Sequence, residues 1–376
     1  MSIDLSSPGL SFSDPEVLRP TSDIMNMRQD PLLSTVEDYR QYYLTEMNSV
    51  MEMRVKYMND SEAKQYSEKH KTHNRYANIT PILRTQPSLE YFNGNIIHLG
   101  RFDFLITQAP TKFNSFYKNV YSFKPDIIVQ LTKFLEGNIP KADRYIPLIE
   151  GESASFYQES IDAQYTSLAY QTALTSQKNS IFLTKDMIEA EKAKSAPESF
   201  FWHAKQLSFP EENLIVRAST FKEISPDFYK AKLTIDYQSQ NVECPPIYFD
   251  IKQKKCEPVY YYYGLWNDFQ KPGSEEDVFN LCLSQQEHLK SENHKVLLHC
   301  SAGIGRSATF AVCLYIFECF SKKDLVTNKD GWNMLPLTIF EAVEALRTQR
   351  NPMCVQTVDQ FMFLFSFAEY CKRKLM

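Results

Sequence analysis

Glycine is scarce in this chain, and its scarcity already excludes several kinds of protein. The 376 residues include ten glycines, whereas average usage predicts roughly 26. Collagen-like, glycine-linker and low-complexity structures are therefore excluded. Gly303 and Gly305 lie closer together than any other two glycines, so the sequence has a single glycine-rich spot.

Long apolar runs and an excess of positive charge are also missing. No run reaches the roughly 18 apolar residues that a bilayer-spanning helix needs, and the N-terminus lacks the features of a secretory signal. Because the formal charge is −5 at pH 7, the chain has no bulk attraction for nucleic acid. We expect a cytoplasmic protein with no nucleic-acid partner and no transmembrane segment, or a pathogen protein delivered into a host cytosol.

Paired cysteines are absent as well. The eight cysteines lie between Cys244 and Cys371, and no two of them form a CxxC pair. This spacing disfavours structural zinc and a disulfide framework, so we expect reduced thiols. Nothing in the sequence predicts an oligomeric state.

Composition divides the chain into an arm and one large domain. Residues 1–33 are rich in Ser, Pro and Asp and are predicted to be a flexible arm. The domain extends over 34–376, and apolar spacing predicts that it opens with a helix over about 35–58. Ser, Ala, Gln, Lys and Glu dominate about 150–208, which we interpret as an inserted, partly helical subdomain.

Short apolar runs alternate with helical patterns in the domain, which predicts an α/β or α+β fold. The four consecutive tyrosines at 260–263 favour a buried strand. Near the C-terminus the pattern predicts helix 277–289, strand 296–299, helix 307–320, helix 338–347 and helix 357–370. Thr338 and Glu341 match the capping box that begins many helices.

Nine residues, from the end of that strand to the first residue of the next helix, have the pattern of a phosphate cradle. A tight loop after a strand can turn its backbone N–H groups inward, and the positive end of the following helix attracts the same anion. The nine are His299, Cys300, Ser301, Ala302, Gly303, Ile304, Gly305, Arg306 and Ser307.

The cradle also predicts a nucleophile. Arg306 can hold two phosphate oxygens with its planar fork, and the same positive field favours the thiolate of Cys300. Ser307 can donate a hydrogen bond to the sulfur when it becomes a leaving group. An inert buried cysteine is the alternative, disfavoured because several required residue types coincide. A nucleotide-binding loop is also disfavoured, because no Gly-Lys-Ser/Thr follows.

These nine residues resemble the signature loop of the tyrosine-specific protein tyrosine phosphatases. Segment 266–269, Trp-Asn-Asp-Phe, resembles the family's acid loop, 356–361 its glutamine loop, and 74–81 its phosphotyrosine-recognition loop. The resemblance covers about 35–372. It implies a central twisted mixed β-sheet flanked by helices, in one catalytic domain over 34–376 with the insertion at about 150–208.

The resemblance also implies roles for residues outside the cradle. Tyrosine is a poor leaving group, since its pKa is near 10, so Asp268 beside Trp266 would act as general acid and then base. Gln360 would position the hydrolytic water, with Gln356 in support. The remaining implied positions, which bind substrate or brace the site, are Tyr76, Asn78, Glu136 and Lys141.

Three positions depart from the family pattern. Asn267 replaces the acid-loop proline, Asn78 replaces an aspartate that binds the substrate backbone, and Ala109 replaces a glycine. We expect a looser acid loop and weaker peptide binding from the first two.

The sequence thus favours a phosphatase that hydrolyses phosphotyrosine in protein substrates through a phosphocysteine intermediate, with no metal and no cofactor. A catalytically weak phosphotyrosine-binding protein is the first alternative, but such proteins usually lose the cysteine, the arginine or the acid. A phosphoinositide phosphatase is the second alternative, although its relatives tend to carry lysines within the loop.

Overall fold

The computed structural model describes residues 38–45, 65–66, 68–87, 91–111, 113–136, 139–143, 145–146, 207–209, 214–225, 227–237, 255–289, 292–322 and 335–376. The arm predicted at 1–33 and nearly all of the insertion lie outside these residues. Residues 38–45 are helical, which confirms that part of the predicted first helix; the remainder of the prediction lies outside the described residues.

A mixed β-sheet of nine strands forms the centre of the described residues, which confirms the predicted fold class. Its strands are β1 (Gly94–Leu99), β2 (Phe102–Thr107), β3 (Ile127–Gln130), β6 (Leu207–Phe209), β7 (Leu214–Ser225), β8 (Phe228–Tyr237), β9 (Lys255–Cys256), β10 (Val259–Tyr263) and β11 (His294–His299). A separate small hairpin pairs β4 (Leu135–Glu136) with β5 (Ile139–Pro140).

The strand order is β1-β2-β11-β3-β10-β8-β7-β6, with β9 paired to β8. The four strands β2, β11, β3 and β10 run parallel to one another, and the strands outside them pair antiparallel. Central parallel strands are covered on both faces and are therefore apolar throughout. In β11, Val296, Leu297 and Leu298 are all fully buried, and their carboxyl ends lead directly into the predicted cradle.

Five named helices flank this sheet: α1 (Phe113–Phe123), α2 (Glu275–Gln286), α3 (Arg306–Ser321), α4 (Leu335–Gln349) and α5 (Val358–Leu375). The C-terminal helices and strand predicted from the sequence are all present. The predicted capping box is wrong, because α4 begins at Leu335 and Thr338 lies inside the helix. Pro336 fits the first turn, where its missing N–H has no partner to lose. No helix in the described residues is long and apolar enough to cross a membrane.

The four consecutive tyrosines form β10, as predicted, and their side chains alternate between the two faces of the sheet. Tyr261 and Tyr263 pack in the core with α2 and α3, whereas Tyr260 and Tyr262 pack in the core with α1. All four are at most 1% exposed. Successive side chains of a strand point to opposite faces, so this run supplies aromatic packing to both cores.

The helical residues 38–45 pack on the C-terminal helices through tyrosine rings. Tyr39 stacks on Phe365 with ring centres 4.5 Å apart, and Tyr43 lies 4.9 Å from Phe361. The buried hydroxyl of Tyr43 donates to the carbonyl oxygen of Val355 at 2.8 Å. Burial raises the pKa of Tyr43 to about 12 despite nearby Arg347, so its hydroxyl stays protonated and able to donate.

We predict that Tyr43→Phe lowers the free energy of unfolding by about 1 kcal/mol, because the buried carbonyl of Val355 loses its donor. Tyr39→Phe is the matched control, since the Tyr39 hydroxyl has no hydrogen-bond partner among the described residues. It should change stability by less than about 0.5 kcal/mol. Urea unfolding measures both variants, and equal losses would contradict the role of the Tyr43 hydrogen bond.

Candidate active site

The loop that follows β11 curls around the sulfur of Cys300. The backbone N–H of Gly303 donates to Cys300 Sγ at 3.2 Å, and the Cys300 residue is 3% exposed. Gly303 has φ of 70°, and a Cβ at this position would lie 2.1 Å from the carbonyl oxygen of Thr107. Glycine is therefore required here both for the backbone conformation and for the close approach to β2.

A buried arginine holds the outer side of this loop. Arg350 donates from Nε to the carbonyl of Gly303 at 3.2 Å and from Nη2 to that of Ala302 at 3.5 Å. Its other N–H groups donate to the side-chain oxygens of Asn95 and Asn93, each at 2.9 Å. Because the loop carbonyls are bound on the outside, the loop N–H groups are free to face inward.

Arg306 begins α3 and lies across the mouth of the loop. Its Nη1 donates to Glu136 Oε1 and to the carbonyl oxygen of Trp266, the latter at 2.8 Å. Thr132 donates to the same oxygen of Glu136 at 3.1 Å. The Arg306 side chain is 1% exposed, so these acceptors fix the plane of its guanidinium group.

Asp268 lies directly beside this guanidinium. Its Oδ1 accepts from Arg306 Nη2 at 3.0 Å, and its Oδ2 accepts from Lys141 Nζ at 2.7 Å. The Asp268 side chain remains 25% exposed. The structure thus brings the predicted acid, the predicted phosphate-binding arginine and Lys141 into one cluster.

In this cluster, nearby negative charges outweigh the effect of burial on the pKa values of two basic side chains. Burial lowers the pKa of Arg306, but the charges of Cys300, Glu136 and Asp268 outweigh it and raise that pKa. Burial also lowers the pKa of Lys141, and its hydrogen bond and ion pair with Asp268 again reverse the effect. Both side chains are therefore cationic at neutral pH and favour a negatively charged ligand.

The two predicted glutamines lie against the same loop. The backbone N–H of Gln356 donates to Gln360 Oε1 at 3.0 Å, and Gln360 Nε2 donates to the carbonyl oxygen of Gln270 at 3.2 Å. A Cβ on Gly305 would meet Gln356 at 3.1 Å and Gln360 at 3.3 Å. The buried Gln360 therefore connects the loop to the segment that carries Asp268.

Tyr76 forms one wall of the site. Ser301 Oγ donates to the carbonyl oxygen of Lys141 at 2.7 Å, so the Tyr76 hydroxyl, 2.7 Å from Ser301 Oγ, acts as donor in its contact. Gln108 supports the backbone of Tyr76, because its side chain accepts from the N–H at 3.4 Å and donates to the carbonyl at 3.2 Å.

His299 shapes the loop as a neutral ring. Burial lowers the pKa of His299 to about 4. Its Nδ1 lies 3.0 Å from the carbonyl oxygen of Cys300 and its Nε2 lies 2.5 Å from the hydroxyl of Tyr145. The carbonyl can only accept, so Nδ1 carries the proton and Tyr145 donates to Nε2.

Two predicted residues make no such contacts. Asn78 is exposed, two positions beyond Tyr76. Ser307 Oγ is buried without a hydrogen-bond partner in the described part of the chain. Sequence reasoning missed Arg350 and Tyr145, because an arginine at a helix end and an isolated tyrosine have no pattern that distinguishes them from surface and core residues.

A family model matches most of the chain. A model described as protein-tyrosine phosphatase matches residues 70–181 and 170–369. Tyrosine-protein phosphatase 1 of Saccharomyces cerevisiae is 30% identical over 135 residues, which are 32% of this chain and 40% of that relative. The chain therefore spans less than half of the length of this curated relative.

Two solved structures share the fold. The catalytic domain of human protein tyrosine phosphatase non-receptor type 18 has a TM-score of 0.57 and 17% identity, covering 87% of this chain and 95% of that one. PTPN18 in complex with HER2 phosphopeptides has a TM-score of 0.56 and 15% identity, and the match covers 93% of this chain and 96% of that one.

We predict that Gly303→Ala lowers the free energy of unfolding by about 2 kcal/mol or more, because a positive φ is strained for alanine and its Cβ meets backbone. Gly273→Ala is the control, since the nearest atom to its Cβ would be Asp277 Oδ2 at 3.8 Å. It should stay within about 0.5 kcal/mol of the wild type. Thermal unfolding compares the two, and similar losses would refute the proposed close packing on β2.

Proposed function

The chain belongs to the protein-tyrosine phosphatase family, and we propose that it hydrolyses phosphotyrosine in proteins through a phosphocysteine intermediate. One observation carries the proposal: Arg306, at the end of the loop that holds Cys300, lies 3.0 Å from Asp268. The contact puts a candidate proton donor beside the candidate phosphate-binding cation of the loop that carries the candidate nucleophile, and cleavage of an aryl phosphate requires these three groups together.

In the first step the thiolate of Cys300 attacks phosphorus, and the bond from phosphorus to the tyrosine oxygen breaks. The loop N–H groups and Arg306 bind the three equatorial oxygens, where negative charge accumulates. When phosphate binds, it replaces Asp268 as the partner of Arg306. Asp268 is the general acid of this step: a proton on its carboxyl group is transferred to the departing phenolate.

In the second step water attacks phosphorus and the S–P bond breaks, which releases inorganic phosphate. Asp268, now a carboxylate, takes the proton of the water. The buried Gln360 faces Gly305 of the loop, so its amide is suited to orient that water. Ser307, whose buried hydroxyl has no hydrogen-bond partner among the described residues, would donate a hydrogen bond to the sulfur as it leaves.

The wall at Tyr76 supports phosphotyrosine as the substrate. Its hydroxyl is tied to Ser301 at 2.7 Å, which orients the ring at the edge of the cradle so that it can pack on an aryl ring. The phosphopeptide complex of PTPN18 agrees with a phosphotyrosine substrate. The phosphoinositide alternative is disfavoured by the apolar Ala302 and Ile304, and the binding-only alternative by the joint presence of Cys300, Arg306 and Asp268.

We predict that Asp268→Asn lowers kcat on phenyl phosphate by about two to four orders of magnitude, because the amide cannot protonate a strongly basic phenolate. The loss on p-nitrophenyl phosphate should be smaller, since its leaving group needs less protonation. Cys300→Ser should abolish turnover of both substrates, and adding a chelator should not change this result. Equal losses on the two substrates in Asp268→Asn would remove Asp268 from the acid role.

We predict that Tyr76→Leu lowers the preference for phosphotyrosine over phosphoserine peptides by about tenfold, because the wall loses its aromatic ring. Tyr76→Phe is the control: it keeps the ring but loses the hydrogen bond to Ser301, so kcat/KM should change by less than about fivefold. Steady-state kinetics on one peptide pair measures both variants. An unchanged preference in Tyr76→Leu would exclude the role of the ring.

A further inference from the structure

A cavity outside the candidate active site lies next to the segment that carries Tyr76. Its volume is about 610 Å³, within the usual size of small-molecule sites. The lining comes from residues 66, 69, 70 and 73, from residues 91–93 just before β1, from the loop after β2 and from the first half of α1. Its lining residues include Tyr66, Lys69, His70, His73, Tyr91 and Lys118.

Aromatic rings form one side of this cavity. The His70 ring stacks on Tyr91 at 4.3 Å with an interplanar angle of 6°, and Tyr66 lies 4.9 Å from His70 and 5.3 Å from Tyr91. The Tyr91 hydroxyl is fixed by donating to Asn74 Oδ1 at 2.7 Å. Held in this way, the rings offer a surface on which a further planar group can pack.

Positive charge accompanies the rings. Lys69 and Lys118 lie in the lining, and none of the described residues that line the cavity is acidic. Burial, together with His73 and Lys69, lowers the pKa of His70, as expected in a cationic environment. His70 Nδ1 is shielded from solvent and has no hydrogen-bond partner in the described residues.

The cavity shares residues with the wall of the active site. Gln108 lines the cavity and also binds the backbone of Tyr76. Asn93 lines it and donates to the carbonyl oxygen of Ile79 at 2.7 Å. Ala109 lines it too, and its N–H donates to the carbonyl oxygen of Ser301 at 3.0 Å. A ligand that orders these residues therefore also orders Tyr76.

We propose that this cavity binds a small planar aromatic anion, an aryl ring that carries a phosphate or a carboxylate, and that the bound anion alters peptide binding at Tyr76. The ring packs on Tyr91 and His70, and the anionic group lies near Lys69 and Lys118. Only the effect on peptide binding rests on the proposed phosphatase function; binding itself does not.

The test is a ¹⁹F NMR titration of the full chain with 4-fluorobenzoate. Saturable binding is expected, and Lys69→Met should weaken it at least about fivefold because a charged partner is lost. Lys71→Met is the matched control: Lys71 lies two positions away, pairs with Glu68 and does not line the cavity. Its affinity should match the wild type. Lys118→Met serves as a second variant, and thermal unfolding checks that each variant is folded.

A second titration separates the two sources of the anion. In the Cys300→Ser protein, 4-fluorophenyl phosphate should also show a saturable binding component. Adding Lys69→Met to this protein should weaken the affinity of that component. If this component is tighter than for 4-fluorobenzoate, a phosphorylated side chain is the favoured occupant; if weaker, a free aryl carboxylate is favoured. Equal affinity of Lys69→Met and Lys71→Met for both probes, or no saturable binding, would overturn the proposal.

Kinetics test the coupling. Saturating 4-fluorobenzoate should change KM for a phosphotyrosine peptide at least about twofold in the wild type and not in Lys69→Met. Purely competitive inhibition with the same constant in both proteins would indicate binding at the phosphate loop and refute the coupling. If the chain hydrolyses no phosphotyrosine, the proposed function fails, and the NMR titrations still decide whether the cavity binds the anion.

Discussion

The buried guanidinium of Arg350 holds the loop after β11 in the shape on which the rest of the candidate site depends. It binds the carbonyls of Ala302 and Gly303, so the opposite faces of these peptide groups turn inward. Without this guanidinium the buried carbonyl of Gly303 would lose its hydrogen bond, at a cost of about 1–3 kcal/mol, and the partly buried carbonyl of Ala302 would lose a longer one. Asn95 of β1 and Asn93 just before that strand bind the other edge of Arg350, so the loop is connected to the edge of the sheet.

A single carbonyl oxygen joins two segments that act at different stages of the proposed reaction. Gln270 accepts from Trp266 Nε1 at 2.6 Å and from Gln360 at 3.2 Å. The acid segment and the water-positioning residue are therefore held together. Asn267 lacks the fixed φ of proline, but its carbonyl accepts from the N–H of Gln270 at 3.4 Å. This turn and the buried Trp266 restrict the backbone of the segment, and they compensate in part for the absent proline ring.

The sequence predicted those features of the site that residues close together in the chain determine. The strand, the tight loop and the helix around Cys300 are contiguous, so their arrangement follows from sequence alone. Arg350 could not be found in this way, since its partner Asn95 lies 255 positions away and burial reverses the usual exposure of arginine. Glu136 and Lys141 were suggested by family resemblance alone. The predicted start of α4 was wrong because Thr338 matches the pattern of a helix cap. The helix begins earlier and accommodates Pro336 in its first turn.

The position of β11 between β2 and β3 has a consequence for biosynthesis. Those two early strands pair with β11 rather than with each other, so each keeps one unpaired edge until the late strand has been made. Tyr43 likewise lies 312 positions before Val355, which accepts its hydrogen bond. Folds dominated by such distant contacts form slowly, and a partly translated chain exposes unpaired strand edges. A nascent chain therefore lacks the assembled loop around Cys300 until β11 has left the ribosome, and we expect it to depend on chaperones during that interval.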